Sequence, residues 1–79
     1  MAKLEQAIDV LCDLADDPCV PRTVREHISR VIGILKSSVE MSLRISRALG
    51  ELEELAEHEH VQSDTRMQLF SVATLLENE

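Results

Sequence analysis

The sequence has few of the residues on which several common folds and functions depend. Its 79 residues include one Phe and no Tyr or Trp. This scarcity of aromatic rings argues against a stacking platform for single-stranded nucleic acid. It also argues against a β-sandwich or β-barrel, whose strands favour β-branched and aromatic side chains. There are two glycines, neither in a predicted loop, so the sequence has no glycine-rich loop of the kind that cradles phosphate groups.

Basic residues and long apolar runs are also scarce. The chain has 8 Lys and Arg against 15 Asp and Glu, a formal net charge of −7. Such a charge repels nucleic acid backbones and anionic membrane surfaces, so we expect neither as a partner. No apolar run approaches the roughly 20 residues of a membrane span. The amino terminus alternates apolar and charged residues instead of resembling a signal peptide, so we expect a cytoplasmic location.

Cysteine usage agrees with a reducing compartment. Cys12 and Cys19 are the only cysteines, and two do not make a disulfide framework. Cys12 falls inside a predicted helix and Cys19 just past its end, so the two are poorly placed to bridge. We expect two reduced thiols, one of them buried as a small hydrophobic residue.

Apolar residues recur at the 3.6-residue period of helices in four segments. Asp16-Asp17-Pro18 ends the first helix, because the residue before proline is pushed out of the α region. Pro21 suits the first turn of the second helix. Ser37 and Glu40 have capping-box spacing before the third. His58 to Gln62 reads as a polar loop, after which Ser63 or Asp64 can cap the fourth helix. The inward stripes are Leu4, Ala7, Ile8, Leu11, Leu14 and Ala15; Val24, Ile28, Val31 and Leu35; Ile45, Ala48, Leu49, Leu52, Leu55 and Ala56; and Leu69, Val72, Ala73 and Leu76.

The two halves of the chain are related by a shift of 41 residues. The shift places the first stripe on the third, with Val20 on Val61 and Arg25 on Arg66. It also places Ile28, Val31 and Leu35 of the second stripe on Leu69, Val72 and Leu76 of the fourth. We therefore predict one domain over 1–79, with hairpin one over about 3–36 and hairpin two over about 39–78. Neither hairpin can bury its apolar face alone, so the two must stack. The predicted fold is all-α, a compact bundle of four main helices. A two-repeat HEAT-like solenoid is the alternative.

A shorter pattern recurs within the second and third helices. Ile28-Ser29-Arg30 with Gly33 resembles Ile45-Ser46-Arg47 with Gly50. A glycine inside a helix costs about 1 kcal/mol relative to alanine. Either a close helix crossing or simple exposure explains why the two glycines are tolerated.

The front turn carries a resemblance to known families. The segment Leu11-x-x-Leu14-Ala15-x-Asp17-Pro18-x-Val20-Pro21-x-x-Val24-Arg25 resembles a HEAT repeat in outline. Over nearly its whole length the chain more closely resembles a small archaeal family, uncharacterised protein family 0147, which has an Asp-Pro-x-Val-Pro-Arg segment near the front. The second turn departs from this pattern, since His58-Glu59-His60-Val61-Gln62 has neither proline. The resemblance implies a helical bundle in an archaeal cytoplasm and implies no activity.

Two sets of residues are weak candidates for chemistry. His58 and His60, within Glu57-His58-Glu59-His60, have the side chains that bind metals, and His27 or a cysteine would have to complete a tetrahedral zinc site. A solvated loop is the simpler interpretation, and we predict no metal or other cofactor. Asp17 with Arg25, and Glu57 with Arg66, repeat an acidic and a basic residue across each turn. We interpret each pair as an ion pair or a carbonyl contact that locks its hairpin, in preference to a charged functional site.

Apolar residues in excess of the four stripes suggest a partner surface. A four-helix bundle of this size has too few inward positions for all of them, and exposed apolar stripes mark partner surfaces. A twofold dimer is the commonest closed assembly, so we expect a homodimer or another protein partner. The candidates are Ile32, Ile34, Met41, Leu43, Met67, Phe70 and Leu75.

The sequence therefore predicts a non-catalytic structural or protein-interaction module, self-associating through its surplus apolar faces. No nucleophile elbow or dinucleotide fingerprint is present, so we expect no enzyme and no small-molecule substrate. The alternative is a small regulator associated with a metal or with nucleic acid. It would use the His58–His60 loop or a basic cluster at Arg44 and Arg47.

Overall fold

The computed structural model describes residues 2–78 and contains four helices and no strands within that range. The helices are α1 (Ala2–Ala15), α2 (Arg22–Lys36), α3 (Met41–Ala56) and α4 (Ser63–Glu77). Each helix coincides with one predicted apolar stripe. The predicted all-α fold is thus confirmed.

The four helices form a closed ring. Each packs against its neighbour along the chain, and α4 also packs against α1. A two-repeat solenoid would stack α1 on α3 and α2 on α4, and neither of these pairs is in contact over the described residues. The arrangement is therefore a closed bundle, 32 × 19 × 19 Å, and not the solenoid alternative.

The core is entirely apolar. Over the described part of the chain no polar or charged residue is buried. Fully burying a Val, Leu or Ile side chain contributes about 1.5–3 kcal/mol, which makes this core the main source of stability. Several stripe residues, including Leu4, Ile45 and Leu49, are only partly buried at its edge. The core consists of Ala7, Leu11, Leu14, Val20, Val24, Ile28, Val31, Leu35, Ala48, Leu52, Leu55, Val61, Leu69, Val72 and Leu76.

The loops at 16–21 and 57–62 are held by equivalent hydrogen bonds. In the first, the Cys19 N–H donates to Asp17 Oδ1 at 2.9 Å, and the Val20 N–H donates to the Asp17 carbonyl at 3.1 Å. In the second, the His60 N–H donates to His58 Nδ1 at 3.2 Å, and the Val61 N–H donates to the His58 carbonyl at 3.1 Å. Each loop thus turns its valine into the core, so the second loop is polar except at Val61. The two sets of contacts, like the limits of α2 and α4, lie 41 residues apart.

The helix caps differ from the sequence prediction. Glu40 occupies the N-cap of α3 without a side-chain capping bond, and its carboxylate accepts from Ser42 Oγ. Ser37 belongs to the end of α2, where its hydroxyl donates to the Ile34 carbonyl. The predicted capping box is therefore wrong, because Ser37 lies three residues before the N-cap.

The other two predicted helix starts are shifted by one or two residues. Gln62 holds the N-cap of α4, so Ser63 and Asp64 lie in its first turn and do not cap it. Pro21 is the N-cap of α2 and not its first helical residue.

Both glycines are exposed. A Cβ added at Gly33 or Gly50 would meet nothing within 4 Å. No neighbouring helix therefore requires a glycine at either position, and the close-crossing explanation is wrong.

Candidate functional site

A pocket of about 440 Å³ opens between α2 and α3 on the outside of the bundle. Its charged lining comes from Arg30 on α2 and from Arg44, Arg47 and Glu51 on α3. The three α3 residues are spaced three and four apart, which places them on one side of the helix. We call this pocket the arginine groove; its remaining lining residues are Gly33, Ile34, Ser37 and Val39.

The positive charges of the arginine groove are not neutralised by carboxylates. Within residues 2–78, Arg30, Arg44 and Arg47 form no ion pair within 4.0 Å. Arg44 Nη1 donates to the Leu35 carbonyl at 3.0 Å, which ties α3 to the end of α2. The Nε of the same arginine is buried without a hydrogen-bond partner.

One end of the groove holds a polar contact between the two helices. His27 Nε2 on α2 lies 2.5 Å from Glu51 Oε1 on α3, and both side chains are partly buried. Glu54 completes a group whose ligand atoms lie within 4.8 Å of one another. One nitrogen and two carboxylates could hold a divalent cation. The bond between His27 and Glu51 already pairs two of these three side chains.

The predicted metal candidates lie elsewhere. The rings of His58 and His60 are 5.3 Å apart in the second loop, where His58 Nδ1 accepts the backbone bond that shapes the turn. His60 Nε2 lies 3.8 Å from Glu59 Oε1. Over the described residues, His58 and His60 belong to no group of three ligating side chains whose ligand atoms all lie within 4.8 Å of one another, and His27 faces Glu51 instead.

The proposed acid–base pairs do not form as ion pairs. Arg66 Nε donates to the Ala56 carbonyl at 2.8 Å and Arg66 Nη2 to the Val61 carbonyl at 3.2 Å, so this arginine joins the end of α3 to the following loop. It contacts carbonyls and not Glu57. Arg25, at the equivalent position of the first hairpin, has a buried Nε without a partner and makes no ion pair with Asp17.

The seven candidate partner residues divide into two groups. Ile32, Ile34 and Leu75 pack against the core, and Met41 is partly buried. Leu43 on α3 is 45% exposed, and Met67 and Phe70, one turn apart on α4, are 68% and 56% exposed. The two most exposed large apolar residues of the described chain therefore lie on α4, while Leu43 on α3 and Val39, 37% exposed before α3, lie apart from them.

Sequence reasoning did not connect Arg30 with Arg44 and Arg47. The available signal was the repeated Ile-Ser-Arg pattern, which puts Arg30 and Arg47 at matching positions of two helices. Only the packing of α2 against α3 shows that these positions face one pocket.

Comparison with known proteins identifies the family. No helix of the described chain is both long and apolar enough to cross a bilayer. No solved structure matches the chain. An archaeal UPF0147 protein from Sulfurisphaera tokodaii is 34% identical over 77 residues, covering 96% of this chain and 86% of the relative. A UPF0147 protein from Metallosphaera sedula is 32% identical with the same coverage. The model of the uncharacterised protein family UPF0147 matches residues 1–78. The predicted resemblance is confirmed, and the chain belongs to this family.

Proposed function

We propose that this protein is a non-catalytic protein-interaction module whose outer face of α4 binds a second copy of the chain. We define that face by its exposed residues Met67, Phe70, Ser71 and Thr74. The observation that carries the proposal is the exposure of Met67 and Phe70 on a helix that already buries Leu69, Val72 and Leu76. Neither residue is needed by the core, so their apolar surface is available to a partner.

The charge pattern favours a second copy as that partner. Residues 67–76 contain no Asp, Glu, Lys or Arg, the longest uncharged run in the chain. Two copies of a protein of charge −7 repel each other, and the repulsion is smallest when they meet through uncharged surface. A twofold axis through the outer face of α4 brings Phe70 towards its own counterpart and keeps like charges apart. Because few large apolar residues are exposed, we expect a weak dimer of small interface.

Molar mass in solution tests this proposal. Light scattering behind a sizing column should give a mass that rises towards that of a dimer as the concentration of the wild-type protein increases. The double variant Met67→Glu with Phe70→Glu should remain a monomer. Dimerisation would bring the two new carboxylates of one copy against those of the other. Both positions are exposed, so circular dichroism should show unchanged helix content.

Leu43→Glu is the control for added charge, because it places one carboxylate on an exposed apolar residue of α3, where the double variant places two on α4. This variant should dimerise as the wild type does. A wild-type mass that stays monomeric at every concentration would contradict the proposal. Dimers formed by the double variant would also contradict it.

The absence of catalysis and the cytoplasmic location are parts of the same proposal. Two cysteines, Cys12 and Cys19, are too few for a disulfide framework, which supports a reducing compartment. Within residues 2–78 the one hydroxyl that donates to a carboxylate is that of Ser42, whose bond to Glu40 is exposed at the start of α3. The shortest polar contact, His27 with Glu51, pairs a histidine with a carboxylate and includes no hydroxyl or thiol. A module that acts by binding accounts for these features.

Nucleic-acid association has less support. Its candidate residues Arg44 and Arg47 line a small pocket, and they do not form a stripe along an exposed surface. A polyanion reaching that pocket would also meet the acidic remainder of the molecule.

A further inference from the structure

We propose that the arginine groove is a binding site for a small organic phosphate, a phosphomonoester attached to a compact apolar group. Arg30, Arg44 and Arg47 bind the phosphate, and the apolar lining receives the rest of the ligand. This site lies between α2 and α3 and is separate from the self-association surface on α4.

The concentration of positive charge in one pocket is the first argument. The chain has 8 basic side chains against 15 acidic ones, yet three of the arginines line this pocket without a carboxylate partner among residues 2–78. Glu51, the one acidic side chain of the lining, is already bonded to His27. A bound dianion would supply the missing negative charge. Guanidinium groups suit this role, because their forked donors match the oxygens of a phosphate.

The state of Arg44 is the second argument. Its Nη1 is held by the Leu35 carbonyl, which fixes the side chain at the wall of the pocket. Its Nε is buried and unpaired. Its Nη2 is not among the buried unpaired atoms and makes no hydrogen bond within residues 2–78, so this nitrogen is left to donate to a ligand oxygen.

The absence of two of these arginines from the related helix pair is the third argument. The predicted 41-residue repeat relates Arg30 to Ser71 on α4 and Arg47 to Gln6 on α1, both exposed and uncharged, while Arg44 relates to the basic Lys3. Because α1 packs against α4 without charge at the first two positions, helix packing does not require Arg30 or Arg47. We therefore assign these two charges to a ligand.

The size and lining of the pocket define the ligand. A volume of about 440 Å³ is within the range of pockets that bind small molecules. Gly33, Ile34 and Val39 give it an apolar part, for which inorganic phosphate has no matching group. A nucleic acid strand fits less well, because its further phosphates would be repelled by a molecule of net charge −7.

Calorimetric titration of the intact protein tests the proposal with three probes. They are inorganic phosphate, adenosine 5′-monophosphate and a short single-stranded DNA, each at the same ionic strength in chloride. We expect saturable binding of both phosphates, with the nucleotide bound more tightly than inorganic phosphate and the DNA bound most weakly. No saturable binding of either phosphate at millimolar concentration would overturn the proposal. So would DNA binding tighter than that of the nucleotide.

Charge variants identify the site. Arg30→Gln and Arg47→Gln should each raise the dissociation constant about tenfold or more, as expected for the loss of a charge-assisted hydrogen bond. Arg22→Gln removes the same charge from an 84% exposed arginine of α2 outside the pocket and should leave binding unchanged. An equal loss of phosphate affinity in all three variants would overturn the assignment of the site, because it would show that anions are attracted by basic residues in general.

A shape variant separates the apolar part of the pocket from its charge. Gly33→Leu places a side chain into the groove, and Gly50→Leu places the same side chain at another exposed helix position outside the lining. Gly33→Leu should abolish the preference for the nucleotide over inorganic phosphate, and Gly50→Leu should keep it. The same nucleotide preference in both variants would contradict the assignment of the apolar lining. Because the light-scattering mass of the arginine variants should equal that of the wild type, failure of this proposal is distinguishable from failure of the dimer.

Discussion

Arg25 and Arg66 lie at equivalent positions of the two hairpins but make different contacts. Arg66 bonds two carbonyls, one at the end of α3 and one in the loop that follows. The buried Nε of Arg25 has no acceptor. The two arginines therefore contribute unequally to stability, although they occupy the same place in each hairpin.

We predict that Arg66→Ala lowers the free energy of unfolding by about 1–3 kcal/mol, because two hydrogen bonds from a charged group are lost. Arg25→Ala should cost less, since it removes mainly the packing of the side-chain stem. Urea denaturation of both variants measures the difference. Equal losses would mean that the carbonyl contacts of Arg66 add nothing to the fold.

The sequence predicted which stripe residues point inward, and it missed most polar partners, although a carbonyl contact was one of its two alternatives for Arg66. Helical periodicity is a property of one segment, so stripes such as Val24, Ile28, Val31 and Leu35 could be read directly. The partner of a polar group depends on the neighbouring element. The bond of Ser37 to Ile34 and the pairing of His27 with Glu51 could therefore not be predicted.

At the scale of elements, the loops at 16–21 and 57–62 each contribute a side chain to the core. Val20 and Val61 are 3% and 5% exposed although neither lies in a helix. Hydrogen bonds to Asp17 and His58 hold the backbone so that these valines point into the core. The loops thus contribute packing as well as connection.

Val20→Ala and Val61→Ala should each lower the free energy of unfolding by about 1–3 kcal/mol, the sum of lost burial and the cavity left behind. Val39→Ala is the matched control, because the same change in the more exposed α2–α3 connection should cost less than about 0.5 kcal/mol. Thermal or urea unfolding measures all three. If Val39→Ala lowered the free energy of unfolding as much as Val61→Ala, the burial of the loop valines would not be what stabilises the fold.

The repeat explains why element positions were predictable and the groove was not. The predicted hairpins place α2 and α4 at equivalent positions. The repeat says which segments correspond, and it does not say that α2 packs on α3 in a closed ring. The convergence of Arg30 with Arg47 depends on that packing.

At the scale of the whole molecule the two proposed surfaces respond oppositely to salt. Two copies of a chain of charge −7 repel each other at long range, and salt screens that repulsion. The attraction between the arginine groove and a phosphate is screened in the same way. Raising the salt concentration should therefore strengthen the dimer and weaken phosphate binding.

We predict that raising sodium chloride lowers the dissociation constant of the dimer and raises that of adenosine 5′-monophosphate. Light scattering across a concentration series gives the first constant, and calorimetry gives the second. Parallel weakening of both would mean that the dimer is held by opposite charges and not by the uncharged face of α4.

The central claim is that two copies meet through the outer face of α4, and Phe70 allows it to be tested without any substitution. Phe70 is the only Phe, and the chain has no Tyr or Trp, so its ring gives a unique NMR signal. In an equal mixture of isotope-labelled and unlabelled protein, an isotope-filtered NOE experiment detects contacts between copies alone. The account predicts intermolecular NOEs from the Phe70 ring to side chains of α4, Met67 among them. Intermolecular NOEs confined to other helices, or none in a concentrated sample, would contradict it.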